Sequence, residues 1–165
     1  MSDNLAVIKR VIDEHHTIGR HIKLVGDSLT DKEALTALEK AHADWLPGRM
    51  EALSETRNKL KQALSALDEG LRNHFDFEEK ILSPLLGDLL MQALLLQHRA
   101  IREAIDEAKS TVAGAKLEGL SREDLIAEES RIQQRIGNLC RMVEEHASKE
   151  EVILKMVRSA LEAQG

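Results

Sequence analysis

Six side chains stand out by type and spacing: His15, His74, Glu78, His98, His146 and Glu150. Glu78 and Glu150 each stand one helical turn after a histidine. On an α-helix, residues i and i+4 lie ~6 Å apart along the axis and about 40° apart around it, so both side chains reach one point. A carboxylate has two oxygens and can bridge two cations. Glu78 and Glu150 are therefore expected to hold a metal pair, with the four imidazoles divided between the ions and coordination positions left over for a ligand. Mixed nitrogen and oxygen donors suit iron, manganese or zinc, and support neither an all-oxygen calcium cage nor a thiolate cluster. The single Cys140 cannot form an internal disulfide, which fits a reducing compartment, and the absence of Tyr excludes tyrosyl-radical and tyrosine-ligand chemistry.

A histidine alone in a helix stripe is more often a hydrogen-bonded core residue than a ligand. Four at stripe positions, two of them with Glu at +4, shift the balance to metal. Glu79 and Glu151 sit about 100° from the stripe and read as surface charges. His16 and His21 also leave the stripe and read as solvated; His42 is the remaining ligand candidate, with the balance against it. One turn from the histidine layer stand Gly19, Gly70, Arg102 and Met142. The two glycines either leave a gap through which a diatomic gas reaches the metals or allow close helix packing. Arg102 reads as a solvated arginine with the reach to meet a bound anion, and Cys140 as a small packed thiol.

Long helices must position these residues. A first helix is predicted from about Asp3 to Leu29. Thr30-Asp31-Lys32-Glu33 then supplies a capping box for a short helix ending near Trp45. Pro47 suits the first turn of the next helix, which runs to about Leu82 before Ser83-Pro84; the third continues to about Val112. Gly114 to Gly119 reads as a loop, and Ser121-Arg122-Glu123-Asp124 caps a last helix to about Leu161. Stripes at alternating steps of three and four residues give Ile8, Val11, His15, Ile18, Ile22, Val25 and Leu29 in the first helix. The second gives Leu60, Leu64, Leu67, Leu71, His74, Glu78 and Ile81. The third gives Met91, Leu94, His98, Ile101, Ile105, Ala108 and Val112; the fourth gives Ile132, Ile136, Leu139, Val143, His146, Glu150, Ile153 and Val157. Each helix presents one inward His, and the second and fourth add an inward Glu. The halves repeat: His15 and His98 are each followed by Ile at +3 and +7, and the segment from His74 to Leu82 matches that from His146 to Leu154. The expected fold is all-α, an up-down-up-down antiparallel four-helix bundle with a short extra helix between helices 1 and 2, as a single domain over 1–165. Helices two and four extend further from the histidines than helices one and three. The short helix around Trp45 is expected to pack against that extra length.

Composition agrees. The 165 residues are 42% hydrophobic and 2% aromatic, so the core is aliphatic, which favours helices. Lys plus Arg number 23 against 29 Asp plus Glu, a net charge of -6 with no basic run, which argues against a nucleic-acid partner. No apolar stretch approaches the ~18 residues of a membrane span, and the N-terminus lacks signal-peptide order. A cytoplasmic protein is expected.

With these residues in place, the sequence resembles the hemerythrin-like (HHE cation-binding) family of non-haem di-iron proteins, over about residues 5 to 157. The segment from His74 to Leu86 is similar to the family's second-helix motif, and Glu14-His15 and Gln97-His98 fit its first and third helices. The resemblance implies two iron ions bridged by the two carboxylates and an oxo or hydroxo group. Oxygen-carrying hemerythrins have a second third-helix His where this chain has Arg102, and an Asp five residues after the last His where the better-phased residue here is Glu150. Four His and two Glu are closer to the di-iron domain of the repair-of-iron-centres proteins. Ferritin-like bundles use Glu-x-x-His, the reverse order. The implied function is binding of a small diatomic ligand, oxygen or nitric oxide, in sensing, iron handling or stress response, with a separate protein partner for any signal output. The alternative is a di-iron redox enzyme that reduces nitric oxide or peroxide or aids iron-sulfur cluster repair.

Overall fold

The computed structural model describes residues 2–30, 47–115 and 119–164. Its helices are α1 (Ser2–Thr30), α2 (Pro47–Ile81), α3 (Ser83–Leu86), α4 (Asp88–Gly114) and α5 (Arg122–Gln164), and no strand occurs among the described residues. The chain signals act where expected. Pro47 opens α2, a position where its missing N–H costs no intrahelical bond. Ser121 caps α5: its Oγ accepts the Asp124 N–H at 3.2 Å while its carbonyl accepts the Leu125 N–H at 2.9 Å. The predicted short helix ending near Trp45, His42 on it and the capping box beyond Thr30, which is itself the last residue of α1, lie outside the described residues. No described helix is long and apolar enough to cross a membrane.

The third predicted helix differs. Sequence periodicity runs on from Ser83-Pro84, but the structure closes a single turn, α3, and breaks at Gly87. Pro84 has no N–H to continue the ladder of α2. Gly87 then adopts φ 75°, which L side chains rarely tolerate, and donates to the Ser83 carbonyl at 3.2 Å. This corner turns the chain from α2 into α4.

Packing is cyclic: α1 lies against α2 and α5, and α4 closes the ring between them. The core falls into two apolar clusters separated by a polar layer. The larger includes Ile18, Leu64, Leu67, Leu71, Phe75, Ile101, Ile105, Ile136, Leu139 and Val143. The smaller comprises Ile8, Val11, Leu82, Met91, Leu94 and Leu154. Going along α1 the chain passes from the smaller cluster through His15 to the larger, and α2 passes from the larger through His74 and Glu78 to the smaller. α4 and α5 repeat the two passages through His98 and through His146 and Glu150.

Two stripe positions need correction. Ile81 and Ile153 are only half-buried, while Leu82 and Leu154 are fully buried in their place. A three-four alternation averages 3.5 residues per turn and lags a 3.6-residue helix by ~20° per heptad. Two successive steps of four, His74 to Glu78 to Leu82 and His146 to Glu150 to Leu154, restore the phase. Val157 is also half-buried, and the side chains of Ile22, Val25 and Leu29 lie outside those described. Phe75 is fully buried although no stripe contained it. α2 and α5 have 35 and 43 residues against 29 and 27 in α1 and α4, the expected overshoot.

Candidate metal centre

In the polar layer, α1 supplies His15, α2 His74 and Glu78, α4 His98, and α5 His146 and Glu150. Glu78, Glu150 and His98 are 0% exposed, and the other three histidines at most 5%. The structure brings all six together. They form two overlapping groups that could each hold a cation, His15, His74, Glu78 and Glu150 in one, and Glu78, His98, His146 and Glu150 in the other. Within each group the donor atoms lie within 4.8 Å of one another.

The carboxylates span both groups with different oxygens. Glu78 Oε1 lies 3.2 Å from His15 Nε2 and against His74 Nε2, while Glu78 Oε2 lies 3.1 Å from His98 Nε2. Glu150 Oε1 is 3.3 Å from His15 Nε2, and Glu150 Oε2 is 3.1 Å from His146 Nε2. Four ring nitrogens thus converge on four carboxylate oxygens, two facing each way.

The donor set fits cations. Buried polar atoms normally find hydrogen-bond partners, yet Nε2 of His74, His98 and His146, Oε2 of Glu78 and both oxygens of Glu150 make none. Asp68, also buried, is answered by Arg72 at 2.7 Å and Lys109 at 2.8 Å, which hold its carboxyl below the usual range against the effect of burial. Among the described residues no Lys or Arg pairs with Glu78 or Glu150. His15 and His74 supply charge when no metal does. Burial would lower the His15 pKa, but Glu150 and Glu78 push it up to about 9. Burial would likewise raise Glu78, but the imidazoles of His15, His74 and His98 facing its carboxylate hold it well below the usual carboxylate range. Protons stand where cations fit.

Each ring's other nitrogen faces outward. His74 Nδ1 donates to Glu14 Oε2 at 2.7 Å, His98 Nδ1 to Glu79 Oε1 at 3.1 Å, and His146 Nδ1 to Gln97 Oε1 at 2.6 Å. His15 Nδ1 lies 3.9 Å from Glu151 Oε1. With Nδ1 carrying the proton, Nε2 keeps its lone pair for the centre. Phe75 stacks on His98 with ring centroids 3.9 Å apart and fixes that ring's plane. Glu79 is therefore a half-buried hydrogen-bond partner of a ring nitrogen and Glu151 a half-buried charge near one, where sequence phase read surface charges. Their 100° offset from the stripe is real, and it aims them at the histidine of the neighbouring helix. The signal that could have found them is the repeat itself. Glu14 and Gln97 each precede a histidine, and Glu79 and Glu151 each follow one by five residues.

Comparison with the curated proteins and with the solved structures finds no match. A model of the hemerythrin HHE cation-binding domain matches residues 7–157. The chain belongs to that family. In this hemerythrin domain the six residues lie inside the matched segment, and the groups that could hold cations are the buried ones just described.

Other sequence expectations for the hemerythrin domain resolve around this centre. His16 is exposed, while the side chain of His21 lies outside those described. Arg102 stays at the partly exposed surface and does not turn inward: it bridges Asp76 at 3.4 Å and Glu79 at 3.3 Å, with its guanidinium 5.5 Å from the Phe75 ring. Burial, then the charge of Glu144, pushes the half-buried Cys140 thiol up to about 11, so it is a poor nucleophile at neutral pH. The two glycines separate. A side chain built on Gly19 would meet nothing within 4 Å, so Gly19 permits no close approach, and it does not line the cleft between α1 and α2. Gly70 lines a cleft of about 220 Å³ between α1 and α2, with Glu14, Ile18 and His74. The equivalent cleft between α4 and α5, about 150 Å³, has Met142 in the place of Gly70 and Gln97 in that of Glu14.

Proposed function

We propose that this chain is a non-haem di-iron protein that binds a small diatomic ligand, oxygen or nitric oxide, in sensing, iron handling or stress response. His15 and His74 would hold one iron and His98 and His146 the other, with Glu78 and Glu150 bridging them. The observation that carries this reading is that the two oxygens of each carboxylate face different histidine pairs, which suits a bridge and has no use in a site for one ion. The passage of α1, α2, α4 and α5 between the two core clusters supports an up-down-up-down antiparallel bundle, and we take 1–165 as one domain.

Bound iron would supply a change of oxidation state and coordination positions for the ligand. The protein's own residues set the terms of access. Ile18, Ile101, Leu139 and Val143 on one side, and Leu94 on the other, flank the polar layer with hydrocarbon and favour small, weakly polar ligands over large substrates. The cleft beside Gly70 reaches His74 and is the route in for such a ligand.

Rapid mixing of the reduced, iron-loaded protein with nitric oxide tests this. Ligand uptake in proportion to the iron pairs, slowed by Gly70→Leu and unchanged by Gly19→Leu, is the expected result. Consumption of many equivalents of nitric oxide would make the chain a redox enzyme, and an unchanged rate in Gly70→Leu would remove the cleft from the route.

A further inference from the structure

The centre is built twice, but its outer partners are not. We infer that its two halves bind unequally, the His15 and His74 half taking its ion first and more tightly, because Glu14 in that half is replaced by Gln97 in the other. This rests on the paired site proposed above and ranks its two members.

Glu14 and Gln97 hold corresponding places, each one residue before a histidine, and each accepts the Nδ1 proton of the histidine on the next helix. Glu14 does so as a carboxylate at 2.7 Å, Gln97 as a neutral amide at 2.6 Å. A carboxylate drawing on Nδ1–H makes Nε2 a stronger donor to a cation, and it adds a negative charge that an amide lacks. The remaining partners differ in charge more than in hydrogen bonding, since His98 Nδ1 donates to Glu79 at 3.1 Å while His15 Nδ1 makes no hydrogen bond. In the His15 and His74 half the second carboxylate is Glu151, 3.9 Å from His15 and 4.0 Å from Lys155, whose side chain is 67% exposed and screened by water. In the other half Glu79 is tied to Arg102 at 3.3 Å, and that cation lies over Phe75, which stacks on His98. Glu14 has its own cation, Arg10, at 3.0 Å, but the Arg10 side chain is 64% exposed and water screens it, whereas that of Arg102 is 30% exposed. The half with Glu14 and Glu151 is the more negative around its cation.

Cobalt(II) is a suitable probe, since its paramagnetism shifts the Nδ1 protons of the histidines it binds, and both substitutions of the test exchange side chains of nearly equal size. At one equivalent of cobalt, the shifted imidazole N–H resonances are expected to move in Glu14→Gln and to stay in place in Gln97→Glu. Glu14→Gln should weaken the first ion by roughly 10- to 100-fold, and Gln97→Glu should bring the second closer to the first. Resonances at one equivalent that move in Gln97→Glu and not in Glu14→Gln would overturn the ranking, as would equal binding steps in all three chains. Uptake of fewer than two ions by the unsubstituted protein would overturn the pair itself, and the ranking with it.

Discussion

His15 lies between Glu78 and Glu150, and without metal those two carboxylates keep it protonated up to a pKa of about 9 against an ordinary 6.5. A histidine whose pKa is raised on folding adds stability that is complete below pH 6.5 and is lost as pH rises through about 9. Glu78 is shifted the other way, so its contribution is present above its ordinary 4.5 and is lost as pH falls. The metal-free protein should therefore be most stable between these limits. Its melting temperature should fall between pH 6.5 and 9.5 as a contribution on the order of 3 kcal/mol is withdrawn. Cations that replace the protons remove this dependence, so calorimetry of the metal-loaded protein should show a flatter alkaline limb. A metal-free melting temperature that is level across that range would contradict the charge balance assigned to His15. At this scale much was legible in the sequence: a polar residue at an apolar stripe position identifies itself, and Glu at +4 shares the point its His reaches. The outer partners were not legible, because Glu14, Glu79 and Gln97 act on the histidine of another helix. Their role depends on which helices are neighbours.

Along each helix, periodicity located the stripes but drifted past the centre. Leu82 and Leu154 fill the smaller cluster directly beneath the carboxylates, and their predecessors Ile81 and Ile153 are half-buried. Leu82→Ala and Leu154→Ala should each cost about 2–5 kcal/mol in denaturant unfolding of the metal-free protein, with Ile81→Ala and Ile153→Ala clearly milder. Equal losses across the four would mean that the shift in register is wrong. Helix ends were readable wherever one residue type dictates the backbone, as at Pro47 and Ser121. The break at Gly87 was harder to read, because α3 and α4 carry apolar residues on both sides of it and only the positive φ of the glycine separates them.

Across the whole molecule, the chain is a helix pair used twice around one polar layer, with apolar clusters on both sides. An aliphatic interior gives two buried carboxylates no solvent, and the described residues give Glu78 and Glu150 no Lys or Arg. Metal is therefore expected to govern the stability of the fold as well as its chemistry. The order of the stripes and the repeat made the all-helical class legible from sequence. The difference between the halves became visible only when Gln97 was seen to stand where Glu14 does. Elemental analysis of protein purified from iron-supplemented cells, with its visible spectrum recorded before and after anaerobic reduction, tests the central claim most directly. The account predicts about two irons per chain and near-ultraviolet bands that are lost on reduction and absent from Glu78→Ala, whose carboxylate faces both halves. Zinc alone, or no metal after iron supplementation, would contradict it.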